Sequence, residues 1–339
     1  MKKLFVAAFA CAMACGVVAE NLTVTSLDDI ATAATALQVR PGDTVNLPAA
    51  GDGQYYEPMN VLFSSCEGNV LTAKAPGIAT VNLRTAAGEA NIVKSGFVII
   101  LPPTTNPNRV FIYDQTASTK DLWCRATTWK QVGVDENDAW PSEAGDIVYI
   151  PVYNNNYTVR PETDITVGDL YVGAFDGASQ RTVKIESSNG TNSRITFDRG
   201  DGQPATIQLC PNNSGDRWGT SFQLGGYATG VALPNGLIVD HGWGQGSSYG
   251  INDGIARANI TYGTSTSIEI PAGKALVHRG GTPKNLSVTG SDIDFNSSTV
   301  FTGAGDFVHT GRGQMRFSNA KWDNFTGRII EQAGPHTGG

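Results

Sequence analysis

Residues 236–263, "GLIVDHGWGQGSSYGINDGIARANITYG", hold the side chains best suited to chemistry. Asp240 stands next to His241, an Asp253-Gly254 pair follows a dozen residues on, and Trp243 and Tyr249 sit in a glycine-rich run. Aromatic faces stack on sugar rings, so Trp243 and Tyr249, with His241 beside them, are the candidate glycan contacts. The plainer alternative is a loop whose Trp packs back on the protein. Asp240 and Asp253 equally suit the caps of turns, since Asx side chains bond their own backbone. The four histidines, at 241, 278, 309 and 336, show no metal-ligand spacing such as H-x-x-x-H. The chain has no G-x-S-x-G for a nucleophilic serine, no P-loop and no dinucleotide fingerprint.

The elements that must position these groups are short strands. From residue 147 apolar alternation recurs in "DIVYIPV", "RTVKIES", "SRITFDR", "ATIQLCP", "TSFQLGG", "GLIVDHG" and "SIEIPAG", with Gly, Asn and Asp at the breaks. Such spacing suits a sandwich, a barrel or a solenoid. Residues 285–306 can be laid over 306–328, so that Leu286, Phe307 and Ile329 align in steps of 21 and 22. Ile293 with Met315, Phe295 with Phe317, and upstream Ile185 with Ile207 repeat the step of 22. A 21–22 residue period with three strands per turn is what a right-handed parallel β-helix needs, each coil burying the inward side chains of the last. In this alignment His309 falls one coil below Val288, at a coil surface. A sandwich with matching hairpins is the alternative.

Composition narrows the class. The chain has 339 residues, a net charge of −7, only 16% charged residues and 40 glycines. That excludes nucleic acid as a partner, which needs a basic face. "MKKLFVAAFACAMACGVVAE" reads as a basic start, an apolar run and small residues before a cut ahead of Glu20, so residues 1–19 are expected to be a secretory signal peptide. A lipid anchor through Cys15 is the rival reading. No other apolar stretch is long enough to span a membrane. The expected location is extracellular or the cell surface, with the periplasm as alternative. Past the signal, Cys66, Cys124 and Cys210 are an odd set, expected as small buried thiols, with a single disulfide as alternative.

Residues 22–100 carry their own strand-like pieces, and "SLDDIATAATAL" (26–37) is the segment with helical character. Pro102, Pro103 and Pro107 then mark a linker. The expected order is a β-domain over 20–103, a linker over 104–122 and a parallel β-helix over 123–339. "RPGDTVNLP" (40–48) and "AGDIVYIP" (144–151) open strands alike, and the second copy marks the start of the solenoid. The final "IIEQAGPHTGG" stops inside a further copy of the repeat, so the chain is expected to be a piece of a longer protein, truncated within the β-helix.

Four resemblances follow from these strings. "GNVLTAKAPGIATVNLRT" with "GFVIILPP" resembles the second half of a group 2 bacterial immunoglobulin-like domain, which implies a small β-sandwich. The string from Ser26 to Pro58 also resembles the capping helix and first strand of β-helical polysaccharide lyases, which would make residues 20–103 an N-terminal cap instead. "TTWKQ…WPSEAGDIVYIP…YTVRPETDITVGDLYVGA" resembles the opening of β-helical passenger-type surface proteins. Finally, residues 236–263 resemble the strand of pectate-lyase-like enzymes that carries calcium-binding carboxylates, which implies Asp240 and Asp253 as calcium ligands. Such a lyase takes the proton α to a uronate carboxylate with an Arg in an Arg-x-Pro-x-x-Arg pattern. Here only Arg279, Pro283 and Lys284 are present, so the spacing departs and the second Arg is missing. Two functions stand: a structural or adhesive surface protein contacting a polysaccharide or cell-surface glycan, or a polysaccharide lyase using Arg279 as base.

Overall fold

The computed structural model describes residues 20–333 apart from 59–61, 86–91, 154, 176–180, 189, 211–219, 242–257, 280–292, 296–297, 312–314 and 317–319. The first unit contains β1 (Asn21–Thr23), β2 (Leu37–Val39), β3 (Thr44–Asn46), β4 (Gln54–Pro58), β5 (Ser64–Glu67), β6 (Val70–Ala73), β7 (Gly77–Thr85) and β8 (Ile92–Ile100). They form two four-stranded sheets, β1-β3-β6-β5 and β2-β8-β7-β4, each with one parallel pair and otherwise antiparallel. Val45, Leu47 and Leu71 of one sheet share a buried core with Val81, Phe97 and Val98 of the other. The expected helical segment is two 3-10 turns, Leu27–Ile30 and Ala33–Thr35. Ser26 with Asp29 and Thr32 with Thr35 close a capping box on each, restarting the chain before an α-helix can propagate.

The second unit begins with β9 (Val110–Tyr113), inside the expected linker, and β10 (Trp129–Gln131). The chain then runs in coils of three strands. β11 (Ile147–Tyr153), β12 (Tyr157–Val159) and β13 (Ile165–Val167) make the first coil; β14 (Leu170–Phe175), β15 (Arg181–Ile185) and β16 (Arg194–Phe197) the second. β17 (Ala205–Cys210), β18 (Thr220–Leu224) and β19 (Gly230–Ala232) follow, then β20 (Leu237–Asp240), β21 (Ala258–Tyr262) and β22 (Ser267–Ile270). β23 (Ala275–Arg279), β24 (Ile293–Phe295), β25 (Thr299–Gly303), β26 (Asp306–Gly311), β27 (Met315–Arg316), β28 (Ala320–Phe325) and β29 (Ile329–Ala333) complete it. From β11 onward, each strand pairs in parallel with the strand three places on, which gives one long sheet, β10-β9-β11-β14-β17-β20-β23-β26-β29, and two six-stranded sheets. This connectivity fits a parallel β-helix, or solenoid.

Alternation of burial explains why these residues stack. In the long sheet Val148, Leu170, Ile207 and Val239 are in register and buried, while the residues between them face outward. In the second sheet Val183, Phe222, Ile260 and Ile293 do the same; in the third, Ile165, Ile195, Val231, Ile268 and Phe301. No coil buries its own inward face, so each depends on its neighbours. The expected step of 22 holds for Ile293 with Met315 and for Phe307 with Ile329. It fails for Ile185, which pairs with Leu224, because longer connections lengthen the middle coils. Rungs of the long sheet are 22 residues apart at Asp306 and Arg328, but 37 at Asp169 and Thr206. Leu286 and Phe317 lie outside the described residues.

The solenoid is closed at its N-terminal end. β10 runs antiparallel to β9 and ends the sheet. Trp123 and Trp129 meet edge to face at 4.6 Å, and both indole N–H groups donate 2.8 Å bonds, to the carbonyls of Pro141 and Trp123 respectively. The Trp-rich segment is thus a plug over the first coil.

The two Gly-Asp strings make the same turn in separate units. Asp43 N–H donates to the Arg40 carbonyl and Asp146 N–H to the Glu143 carbonyl, with Gly42 (φ 96°) and Gly145 (φ 88°) at the left-handed position such turns require. Each Asp carboxylate then accepts two backbone N–H groups: Glu20 and Arg40 for Asp43, Ser142 and Glu143 for Asp146.

The first unit is docked on the outer face of the long sheet. Ile78 of β7 lies over Gly173 of β14, and its N–H points to the Cys210 sulfur of β17 at 3.3 Å. Tyr149 of β11 stacks on Tyr171 at 4.5 Å and donates its hydroxyl to the Ile100 carbonyl at 2.8 Å. Arg40 donates to the Pro102 carbonyl, so the proline stretch is held at its start.

Candidate functional site

Past the docked unit, the outer face of the long sheet carries a polar column at the C-terminal ends of its strands. Gln208, Asp240, Arg279, Thr310 and Gln332 follow one another in register on β17, β20, β23, β26 and β29. The expected pair Asp240 and Arg279 is therefore brought onto adjacent rungs, about 4.8 Å apart along the stack. Gln208 Nε2 donates to Asp240 Oδ1 and to its carbonyl, both at 3.3 Å. Arg279 is exposed.

The three longest connections leave the coils beside this column. Between β11 and β29 the three longest, residues 241–257, 280–292 and 211–219, each join a strand of the long sheet to the second sheet. Several other corners are tight turns, such as Leu233–Gly236 and Pro271–Lys274, closed by backbone hydrogen bonds of 3.0 Å, while residues 186–193 and 198–204 make longer connections at the other corners of the second coil. Trp243, Tyr249 and Asp253 belong to the connection after β20 and lie outside the described residues. The fold places the root of that connection next to Arg279 and Gln208.

His241 departs from expectation. It is 1% exposed and lies inside the solenoid, where its Nε2 is 3.3 Å from His278 Nδ1, so it does not face an external ligand. Its N–H bonds the Arg279 carbonyl of the next rung, which continues the ladder and turns the side chain inward. His309, expected at a coil surface, is likewise buried, because its rung pairs with His278 rather than with residue 288.

Calcium needs six to eight oxygen ligands. The described part of the column offers one carboxylate, Asp240, already engaged by Gln208, and this does not make a calcium cage. Among the described residues no three His, Cys, Asp or Glu side chains gather as a metal set. Cys66, Cys124 and Cys210 are free thiols. Burial pushes the thiols of Cys66 and Cys210 up to about 12, which leaves them unsuited to nucleophilic work at neutral pH.

Gln208 and Thr310 escaped the sequence reading. Their strands are separated from Asp240 and Arg279 by connections of unequal length, so no fixed period aligns them. Among the described residues, no helix is long and apolar enough to cross a membrane. Comparison with family models, with curated proteins and with solved structures finds no match.

Proposed function

We propose that this is an exported cell-surface protein in which a right-handed parallel β-helix acts as a stiff support for loops that contact glycans, a structural or adhesive role. One observation carries the reading: the three longest connections root at a single corner, beside an exposed polar column. A coil whose longest connections leave from one corner holds those loops in line at a spacing fixed by the ladder. Trp243 and Tyr249 in the longest of these loops supply faces for sugar rings. The right hand follows from the strong preference of parallel crossover connections. We read residues 20–103 as an immunoglobulin-like sandwich and residues 1–19 as the signal that exports the chain. The test is a glycan-array screen of residues 20–339, followed by calorimetry on any hit. Binding that falls at least tenfold in Trp243→Ala and Tyr249→Ala, with unchanged melting, supports the reading. No hit, or binding indifferent to both substitutions, overturns it.

A second reading is favoured by the adjacency of Asp240 and Arg279. In a polysaccharide lyase, a base removes the proton α to the uronate carboxylate, the glycosidic C–O bond at the β carbon breaks, and a double bond forms between the two carbons. Ultraviolet absorbance of the unsaturated product checks it on pectate, alginate and chondroitin with Ca²⁺ present. Cleavage lost in Arg279→Ala would establish this reading, and silence of the wild type on all three would end it.

A further inference from the structure

All four histidines lie at or after position 241, and residues 1–240 contain none. Three of them face inward on successive rungs of the long sheet. His241 follows β20, His278 is on β23 and His309 is on β26, with exposures of 1%, 0% and 2%. Upstream, the register column of His278 and His309 is Val148, Leu170, Ile207 and Val239, with His241 two residues past Val239, so imidazole enters this part of the core only in the C-terminal coils.

The ring nitrogens of His278 are both in use. Nε2 is 2.8 Å from the hydroxyl of Tyr262, itself 1% exposed, and Nδ1 is 3.3 Å from His241. A neutral ring serves this geometry with one nitrogen donating and one accepting. A protonated ring donates from both, so the Tyr262 hydroxyl would have to accept and send its own proton elsewhere. Around it stand Phe295, Phe301 and Phe307, a poor place for a charge. His309 Nδ1 is buried and has no hydrogen-bond partner.

Among the described residues, the ionisable groups near this stack are few. Within the core, β20, β21 and β26 bring His241, Tyr262 and His309 against His278, and β25 brings Phe301. Glu331 on β29 is the register neighbour of His309 and is exposed. Asp240 and Arg279 lie on the opposite face of the long sheet, and Lys321 and Asp323 on β28 are exposed. No described carboxylate is seated within the core to neutralise an imidazolium on His278.

We propose that His278 and His309 make the C-terminal coils an acid-releasable segment: mild acid opens the stack from β20 onward, while the first unit and the first coils stay folded. In a solenoid each coil is held only by its neighbours, so a local charge opens a local block. Burial holds the His278 imidazole well below its ordinary value, helped by His241 and His309, and burial also lowers His309, partly offset by Glu331. A depressed folded value means that the stabilising effect is complete above about pH 6.5, the unfolded value, and is lost as pH falls. Each such group steepens the rise of the opening equilibrium by up to about tenfold per pH unit between its unfolded and its folded value.

Hydrogen exchange with mass spectrometry on residues 20–339, at about pH 7.5 and about pH 5 with rates corrected for intrinsic exchange, tests this. The expected result is loss of protection in peptides from 237–333 at the lower pH, with 110–210 and 21–101 retained. Unchanged protection in 237–333, or equal loss throughout, overturns it. His309→Phe, at the far end of the stack, is expected to reduce the loss of protection between about pH 7.5 and about pH 5. If that variant keeps the full response, the assignment to these histidines is wrong. If it fails to fold, the wild-type comparison decides alone.

Discussion

Arg109 and Asp146 meet as a two-point fork across β9 and β11, Nε to Oδ1 at 2.8 Å and Nη2 to Oδ2 at 2.7 Å. At the other end of the long sheet Arg328 and Asp306 repeat the fork, at 2.9 and 2.6 Å. The chemistry is the same and the surroundings differ. Asp146 is 2% exposed and also accepts two backbone N–H groups, whereas the Arg328 side chain is 75% exposed. Asp146→Ala is therefore expected to cost about 3 kcal/mol in urea unfolding followed by tryptophan fluorescence. Arg328→Ala is expected to leave the midpoint where it is, since water and salt replace an exposed partner. Equal effects at the two forks would contradict this.

The docking of the two units rests on a bare backbone. A β-carbon at Gly173 would meet Ile78 Cγ2 at 3.1 Å, tight enough that the neighbour must yield. Gly173→Val is expected to lift β7 off the sheet and split one calorimetric transition into two. Ile78→Ala, which leaves a cavity instead, is expected to cost about 2–4 kcal/mol. A single unshifted transition in Gly173→Val would show that the interface is not needed for coupling.

The thiols give an alkaline counterpart. Cys210 is fully buried at the junction of the units, and burial, offset in part by the Ile78 N–H and reinforced by Asp240, pushes its thiol up to about 12. Cys66 is pushed up to about 12 by burial and then by Glu57. A raised folded value stabilises fully below the unfolded value of about 8.5 and is lost as pH rises through the folded one. Stability is thus expected to fall above about pH 8.5, less so in Cys210→Ala. A disulfide-exchange reagent at about pH 8 is expected to leave Cys210 unmodified until urea is added. Rapid native labelling of Cys210 would refute its placement.

Strand identity was legible wherever alternation was strong, as in Arg181–Ile185 and Ser267–Ile270, because a period of two survives without tertiary context. The repeat was visible only where connections are short, at Ile293 with Met315 and Phe307 with Ile329. It vanished where long connections intervene, so the expected partner of Ile185 was Ile207 when the ladder uses Leu224. The proline stretch had the composition of a linker, yet Val110–Tyr113 joins the long sheet. Composition reports chain stiffness and not the contacts that follow. Of the candidate site, Asp240 and Arg279 could be named, but nothing local said they would share a face, or that His241 would turn inward one residue later.

The closed end of the coil also bears on the order in which the molecule can assemble. The Trp123 and Trp129 plug and β9 with the antiparallel β10 cover the long-sheet edge of the first coil that faces away from the rest. Growth of the ladder away from this covered edge lets each finished layer act as the mould for the next. A chain emerging amino end first delivers the mould before the copies. Pulse-labelled refolding should show amide protection spreading from Val148 and Leu170 towards Phe307, and protection arriving first at Phe307 would reverse that polarity.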